Sequence, residues 1–211
     1  MADDSKVKPI VAFATHNAHK IDEVYQILRQ RVPGLERGHL LSAAEADAPA
    51  PVESGISYQQ NALIKARALA ERTGLPAIAD DSGLSVDVMG GAPGIFSALW
   101  SGRHGDDRAN LELLLAQMED IPDANRQAAF VCAAVMVHPD GREITEMGIM
   151  GGRLTREPSG AAGFGYDPIF IASGQCVTNA ELDPEVKNAI SHRGGAFRAL
   201  APHVAALLPR R

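Results

Sequence analysis

Ile78-Ala79-Asp80-Asp81-Ser82-Gly83-Leu84-Ser85-Val86-Asp87-Val88, closed by Gly90-Gly91-Ala92-Pro93-Gly94, is the stretch whose reading decides the fold. The apolar approach from Leu75 to Ala79 predicts a buried strand, and the Asp80-Asp81 pair is expected where that strand ends and a turn begins. Adjacent carboxylates repel each other and are costly to bury unpaired. A divalent cation removes that cost, and Mg²⁺ prefers one or two carboxylates together with water and phosphate oxygens. Ser82-Gly83 supplies turn chemistry, and the glycines at 90, 91 and 94 let backbone come close to a ligand. The same residues also fit a plain polar turn between two strands, because Asp and Gly enrich in turns for local reasons.

Working outward toward the N-terminus, Ile10 to Ala14 predicts a first strand, central in a sheet. It runs into Thr15-His16-Asn17-Ala18-His19-Lys20 and then a helical pattern with Ile21, Val24, Tyr25 and Leu28 on one face. Thr15 or Asn17 can cap that helix. Free N–H groups at a helix start form a ready anion site. Lys20 is on the wrong end of the helix dipole, an effect that a bound phosphate would reverse. A plain strand–helix junction with a solvated lysine fits as well. His16 and His19 read as exposed polar residues, with no third metal-type partner nearby in sequence.

Residues 33 to 56 are loop-rich, and Glu53 near their end reads by itself as a surface carboxylate. Ser57 with Gln60 opens a helix through Arg72 in the manner of a capping box, and Thr73-Gly74 closes it. Tyr58, Ala62, Ala66 and Leu69 form its apolar stripe. Ser57, Asn61 and Lys65 share another face, which fits either solvent or a polar cleft.

Toward the C-terminus, Trp100 reads as core or interface packing. Asp106 to Met118 predicts an amphipathic helix on Leu111, Leu114, Leu115 and Met118. Gln127 to His138 predicts a strand covered on both faces, turning at Pro139-Asp140-Gly141 into a second strand, Arg142 to Ile149. Gly160-Ala161-Ala162-Gly163-Phe164-Gly165-Tyr166-Asp167-Pro168 is a glycine-rich loop with two aromatics, leading into a strand from Ile169 to Ala172. An exposed ring there can stack on a nucleobase. Lys187, His192 and Arg193 make a cationic group able to neutralise polyphosphate, or ordinary solvated charge, ahead of a C-terminal helix from Gly195 to Leu208.

The bulk figures bound the possibilities. A chain of 211 residues, 45% hydrophobic and 22% charged, suits one globular domain or two joined lobes. The formal charge of −6 argues against a general nucleic-acid binder, without forbidding a basic pocket for a small anion. Cys132 and Cys176 stand in no metal-type spacing, and Cys132 sits in an apolar run, so a reduced thiol and a reducing compartment are expected. The acidic start Met1-Ala2-Asp3-Asp4-Ser5 has no apolar signal core, and no apolar run approaches the roughly 18 residues that span a bilayer. A cytoplasmic location is expected.

Taken together, the stretches carry a resemblance. Thr15-x-Asn17-x-x-Lys20, Glu53 with Asn61-Ala62-x-x-Lys65-Ala66, Ala79-Asp80-Asp81-Ser82-Gly83-Leu84, Gly90-Gly91-Ala92-Pro93-Gly94, Gly163-Phe164-Gly165-Tyr166-Asp167-Pro168 and Ser191-His192-Arg193-Gly194 occur in this order. The chain thereby resembles the inosine triphosphate pyrophosphatase family, the bacterial dITP/XTP pyrophosphatases, over nearly its whole length. The resemblance implies an α/β fold with a long mixed, twisted central sheet flanked by helices, in two lobes with a cleft between. It implies a short flexible tail over residues 1–8 and a single two-lobed domain over 9–209, working as a homodimer. It also implies Mg²⁺-dependent hydrolysis of ITP, dITP and XTP to the monophosphate and pyrophosphate, with no nucleic-acid or membrane partner.

Carried over by motif, Asp81 would be the catalytic carboxylate and a metal ligand, assisted at the metal by Glu53 and Asp80. Thr15, His16, Asn17, Ala18, His19 and Ser82 would contact substrate, with Lys20 and Lys65 on the phosphates. Phe164, Gly165, Tyr166 and Asp167 would hold the base and sugar, Lys187 the nucleotide, and His192 with Arg193 would read the base. Attack at the α-phosphorus needs a carboxylate to orient or deprotonate water. A 6-oxo base presents an acceptor where adenine presents a donor, so donors such as Arg193 would reject ATP. Two departures stand out: His16 and His19 replace glycines common in relatives, and Leu99 replaces an expected arginine. Competing readings are a Maf-type nucleotide pyrophosphatase with another base preference and a nucleotide-binding regulator without catalysis.

Overall fold

Strands and helices follow along the chain as β1 (Val11–Phe13), α1 (Ala18–Arg29), β2 (Leu40–Ser42), α2 (Tyr58–Thr73), β3 (Ala77–Val86), α3 (Asp107–Gln117), β4 (Gln127–Val137), β5 (Glu143–Leu154), β6 (Phe170–Ala172), α4 (Pro184–Ile190) and α5 (His192–Ala205), alternating as far as β4. The structure, a computed structural model, describes residues 7–209; residues 1–6 of the expected tail and the side chains of Ala18 and His19 lie outside the described residues. The strands form one six-stranded sheet in the order β2-β1-β3-β4-β5-β6. β1 runs parallel to β2 and β3, with Ala12 opposite Leu41 and Ala77, whereas β5 and β6 are antiparallel. The fold is therefore α/β on a mixed sheet, as expected. Among the described residues no helix is long and apolar enough to cross a membrane.

Local chemistry sets the helix that matters most. Ser57 Oγ accepts the Gln60 N–H at 3.2 Å, and Gln60 Oε1 accepts the Ile56 N–H at 2.9 Å, so two N–H groups at the start of α2 are satisfied. Gly74, at φ 66, closes the helix in the left-handed conformation and returns its N–H to Ala70. At the start of α1, Asn17 Oδ1 accepts the Lys20 N–H at 3.4 Å, and Thr15 Oγ1 accepts the Asn17 N–H at 3.1 Å.

β3 departs from expectation. No turn forms at Asp80-Asp81; the strand runs unbroken for 10 residues from Ala77 to Val86, through Ser82-Gly83. Side chains alternate across a strand, so neighbouring carboxylates point to opposite faces and their repulsion no longer demands a turn. The turn comes later, where Gly90 and Gly91 adopt φ of 64 and 93. Other limits shift as well. β5 extends past Ile149 to Leu154, and α5 starts at His192 rather than Gly195.

The chain divides into two compact units: one holds the residues up to Asp81, Ala133–Gly148 and those from Arg193 onward, the other Ser82–Cys132 and Ile149–His192. In the first, α2 lays Ala62, Ala66, Leu69 and Ala70 on Ala12, Ala77, Ala79, Val135 and Val137. So many alanines let helix and sheet approach closely. Phe13 meets Phe197 edge to face at 5.8 Å between centroids. In the second, Leu84, Val86, Leu111, Leu114, Met118, Phe130, Leu154, Ile169 and Phe170 form the core, with Trp100 packed against it. Arg126 is buried there and donates to the carbonyls of Met118, Leu154 and Thr155 at 2.6, 3.2 and 2.7 Å.

Candidate functional site

In the first unit, two ionic groups stand on the two faces of β3. On one, Asp80 is 2% exposed and accepts from Lys20 Nζ at 2.8 Å and Arg193 Nε at 3.2 Å. Arg193 Nη1 lies 3.3 Å from Glu23 Oε2. Burial alone would push the Asp80 carboxyl up, but the charges of Lys20 and Arg193 outweigh it and hold the group well below the usual carboxylate range.

On the other face, Asp81 Oδ2 accepts from Asn61 Nδ2 at 3.2 Å, and Oδ1 lies 3.5 Å from Lys65 Nζ. The same ammonium is 3.2 Å from Glu53 Oε1. Asn61 Oδ1 also accepts the Gly55 N–H at 2.8 Å, which ties the loop carrying Glu53 to α2. A side chain at Gly55 would place its Cβ 2.7 Å from that oxygen and break the link. Burial raises the Asp81 pKa, with the charges of Glu53 and Asp80 adding and the Lys65 charge and the Asn61 hydrogen bond opposing. Beside these groups lies a cavity of about 370 Å³ lined by Thr15, His16, Asn17, Lys20, Glu53 and Lys65. His16 is exposed on its rim, with Nε2 2.8 Å from the Ala48 carbonyl.

Whether these residues suit a metal turns on the donors. Among the described residues no cluster of three or more His, Cys, Asp or Glu side chains is gathered as a protein-only cage would require. Glu53 and Asp81, however, converge on one ammonium, an all-oxygen pair of the kind a hard divalent cation takes when phosphate and water complete its shell. Asp80, expected beside them, faces the other way and is engaged by two cations.

In the second unit, the glycine-rich loop is organised by Asp167, which is 4% exposed. Its Oδ2 accepts the Phe164 N–H at 2.9 Å and Lys187 Nζ at 2.5 Å, and its Oδ1 accepts Asn179 Nδ2 at 3.2 Å. Gly163 adopts φ 79, where a side chain would run into that carboxylate. Phe164 is 62% exposed, with Lys187 Nζ 5.4 Å from its ring centroid. The ring of His192 stacks on Phe130 at 5.0 Å with 15° between planes. Ser82 is half-buried on β3.

Two expected substrate contacts point elsewhere. Tyr166 is buried and donates its hydroxyl to the Ser97 carbonyl at 2.9 Å; burial, with Asp107 adding, pushes its pKa up. Arg193, expected to read the base, is buried between Asp80 and Glu23. Leu99, which is exposed, closes a short helical turn, Gly94–Leu99. Reading the residues alone passed over Glu23, which lies three positions after Lys20 on the same helix, a spacing that does signal a shared face. It also passed over Asn179 and Phe130, which carry no local signal.

A model of the Ham1 family matches residues 11–203. A relative from Leifsonia xyli, named dITP/XTP pyrophosphatase, is 55% identical over 197 residues, covering 93% of this chain and 96% of its own. Another of that name from Streptomyces avermitilis is 56% identical over 195 residues, covering 92% and 96%. Among solved structures, a HAM1 protein from Coxiella burnetii superposes with a TM-score of 0.84 at 37% identity, covering 93% of this chain and 98% of that one. A nucleoside-triphosphatase / dITP/XTP pyrophosphatase from Mycobacterium abscessus gives a TM-score of 0.75 at 47% identity, covering 95% and 99%.

Proposed function

We propose, from the premise that the chain belongs to the Ham1 family, that it hydrolyses the non-standard purine nucleoside triphosphates ITP, dITP and XTP to the monophosphate and pyrophosphate. The observation that carries the chemistry is Asp81, half-buried, steadied by Asn61 and placed with Glu53 around the Lys65 ammonium.

In this reading a water oxygen bonds to the α-phosphorus while the bond to the bridging oxygen breaks and pyrophosphate leaves. Asp81 takes the water's proton, a role suited to a carboxylate made more basic by burial. Lys65, Lys20 and the N–H groups at the start of α1 neutralise the phosphates. Mg²⁺ would be held by Asp81 and Glu53 with phosphate oxygens and water, and when bound it neutralises charge on the triphosphate. Asp80 holds Lys20 and Arg193 in place. Phe164 offers its exposed face to the base, Lys187 and Asp167 support the nucleotide, and His192 supplies the donor that favours a 6-oxo group. The working form is proposed to be a cytoplasmic homodimer acting on free nucleotides, and the net charge of −6 argues against nucleic acid as its partner.

Incubation with Mg²⁺ and, separately, ITP, XTP, GTP and ATP tests this. Monophosphate plus pyrophosphate from ITP and XTP, with little product from GTP and ATP, is expected. Orthophosphate as the product, or equal turnover of ATP and ITP, overturns the assignment.

A further inference from the structure

We propose that Asp107 is a positioning residue for nucleotide binding: by accepting the Gly165 N–H it holds the exposed Phe164 ring in place. Asp107 Oδ2 lies 2.8 Å from the Gly165 nitrogen. The preceding N–H, of Phe164, is taken at 2.9 Å by Asp167 Oδ2. Two successive amides are thus gripped by carboxylates from different parts of the chain, and Phe164 lies between the grips.

The loop needs such a grip. Gly160, Gly163 and Gly165 all adopt positive φ, of 84, 79 and 59. Glycines in that region move readily to other conformations, so the loop's own backbone preference does not select this one. Downstream, the Tyr166 hydroxyl fixes the chain to Ser97. Between these points, Asp107 is the residue of α3 whose side chain bonds to the loop.

A capping role at the start of α3 does not account for Asp107. The cap is already supplied by Asp106, which accepts the Ala109 N–H at 3.1 Å. Asp107 sits one residue inside the helix and spends its carboxylate on the loop instead. A ring that must be ordered at the moment of binding weakens apparent affinity by the fraction of time it is out of place. Asp107 removes that loss.

The inference rests on the reading of Phe164 as the face that takes the base. The test compares kcat and KM for ITP in Asp107→Ala, Asp107→Asn and Phe164→Ala, with amide exchange at Gly165 and Tm measured alongside. Asn keeps an acceptor oxygen and Ala does not. Asp107→Ala is expected to raise KM about tenfold at nearly constant kcat and to speed Gly165 exchange, with Asp107→Asn close to wild type. If Phe164→Ala raises KM and Asp107→Ala does not, the positioning role is overturned while the reading of the loop stands. If Phe164→Ala also leaves KM unchanged, the reading of the loop fails and takes the inference with it. Equal loss of Tm in both Asp107 variants without a KM change would make Asp107 a helix-end charge only, and also overturns the inference.

Discussion

Lys65 holds its ammonium 3.5 Å from Asp81, and the same nitrogen is 3.2 Å from Glu53, so one cation serves two carboxylates. Its charge lowers the Asp81 pKa against the pull of burial. Lys65→Met leaves the two carboxylates facing each other without a cation. The free protein should then bind Mg²⁺ more tightly in calorimetry, while KM for ITP rises roughly tenfold or more, about 1.4 kcal/mol of lost phosphate contact. A variant with weaker Mg²⁺ binding would remove Glu53 and Asp81 as the ion's ligands.

Asp81→Asn should cut kcat by roughly 10²- to 10⁴-fold while ITP binding persists. Because the fold raises the pKa of this carboxyl, its ionised form is disfavoured in the folded state relative to the unfolded one. The substitution should therefore leave stability at pH 7 unchanged or higher, read as Tm without nucleotide or metal. Retained turnover would assign the proton to another group.

Asp80→Asn should behave in the opposite sense, destabilising by about 3–5 kcal/mol because Lys20 and Arg193 lose the carboxylate they share. The folded-state pKa of Asp80 is depressed, so its contribution is fully present above the ordinary value of about 3.9 and is lost as pH falls from there toward the folded value. Urea titrations in EDTA at stepped acidic pH should show wild-type stability falling in that window and a flatter profile for the variant. Parallel profiles would contradict the pairing.

Phe130→Leu removes the ring on which His192 stacks. The expected result is a smaller ratio of kcat/KM for ITP over ATP, with kcat for ITP less affected than the ratio. An unchanged ratio would take base discrimination away from His192.

Much of this was legible in the sequence where spacing reports geometry. The face shared by Asn61 and Lys65 follows from helical period, and it is the face that meets Asp81. The Ser57 cap and the Gly74 stop were equally readable. The doublet at 80 and 81 misled, because repulsion between neighbours in sequence suggested a turn, whereas strand alternation separates them. Continued alternation through Leu84 and Val86 was the available clue. The Arg193–Asp80 pair, 113 positions apart, and the Phe130–His192 stack are products of tertiary folding, and no local pattern announces them.

The doublet on β3 also guards the fidelity of strand pairing. In the native register β3 sets Ala77 and Ile78 opposite Ala12 and Phe13 of β1. A slip of one residue exchanges the two faces of a strand. Slipped one way, Asp81 would satisfy Lys20 and Arg193, and Ser82 would leave Lys65 without its strand carboxylate. Slipped the other way, Asp80 would meet Lys65, and Ala79 would leave Lys20 and the buried Arg193 without theirs. Either misalignment takes a strand carboxylate from its cation, leaving Lys65 with Glu53 alone or Arg193 with Glu23 alone, so the pair of charges makes the native alignment the one in which every pairing is present.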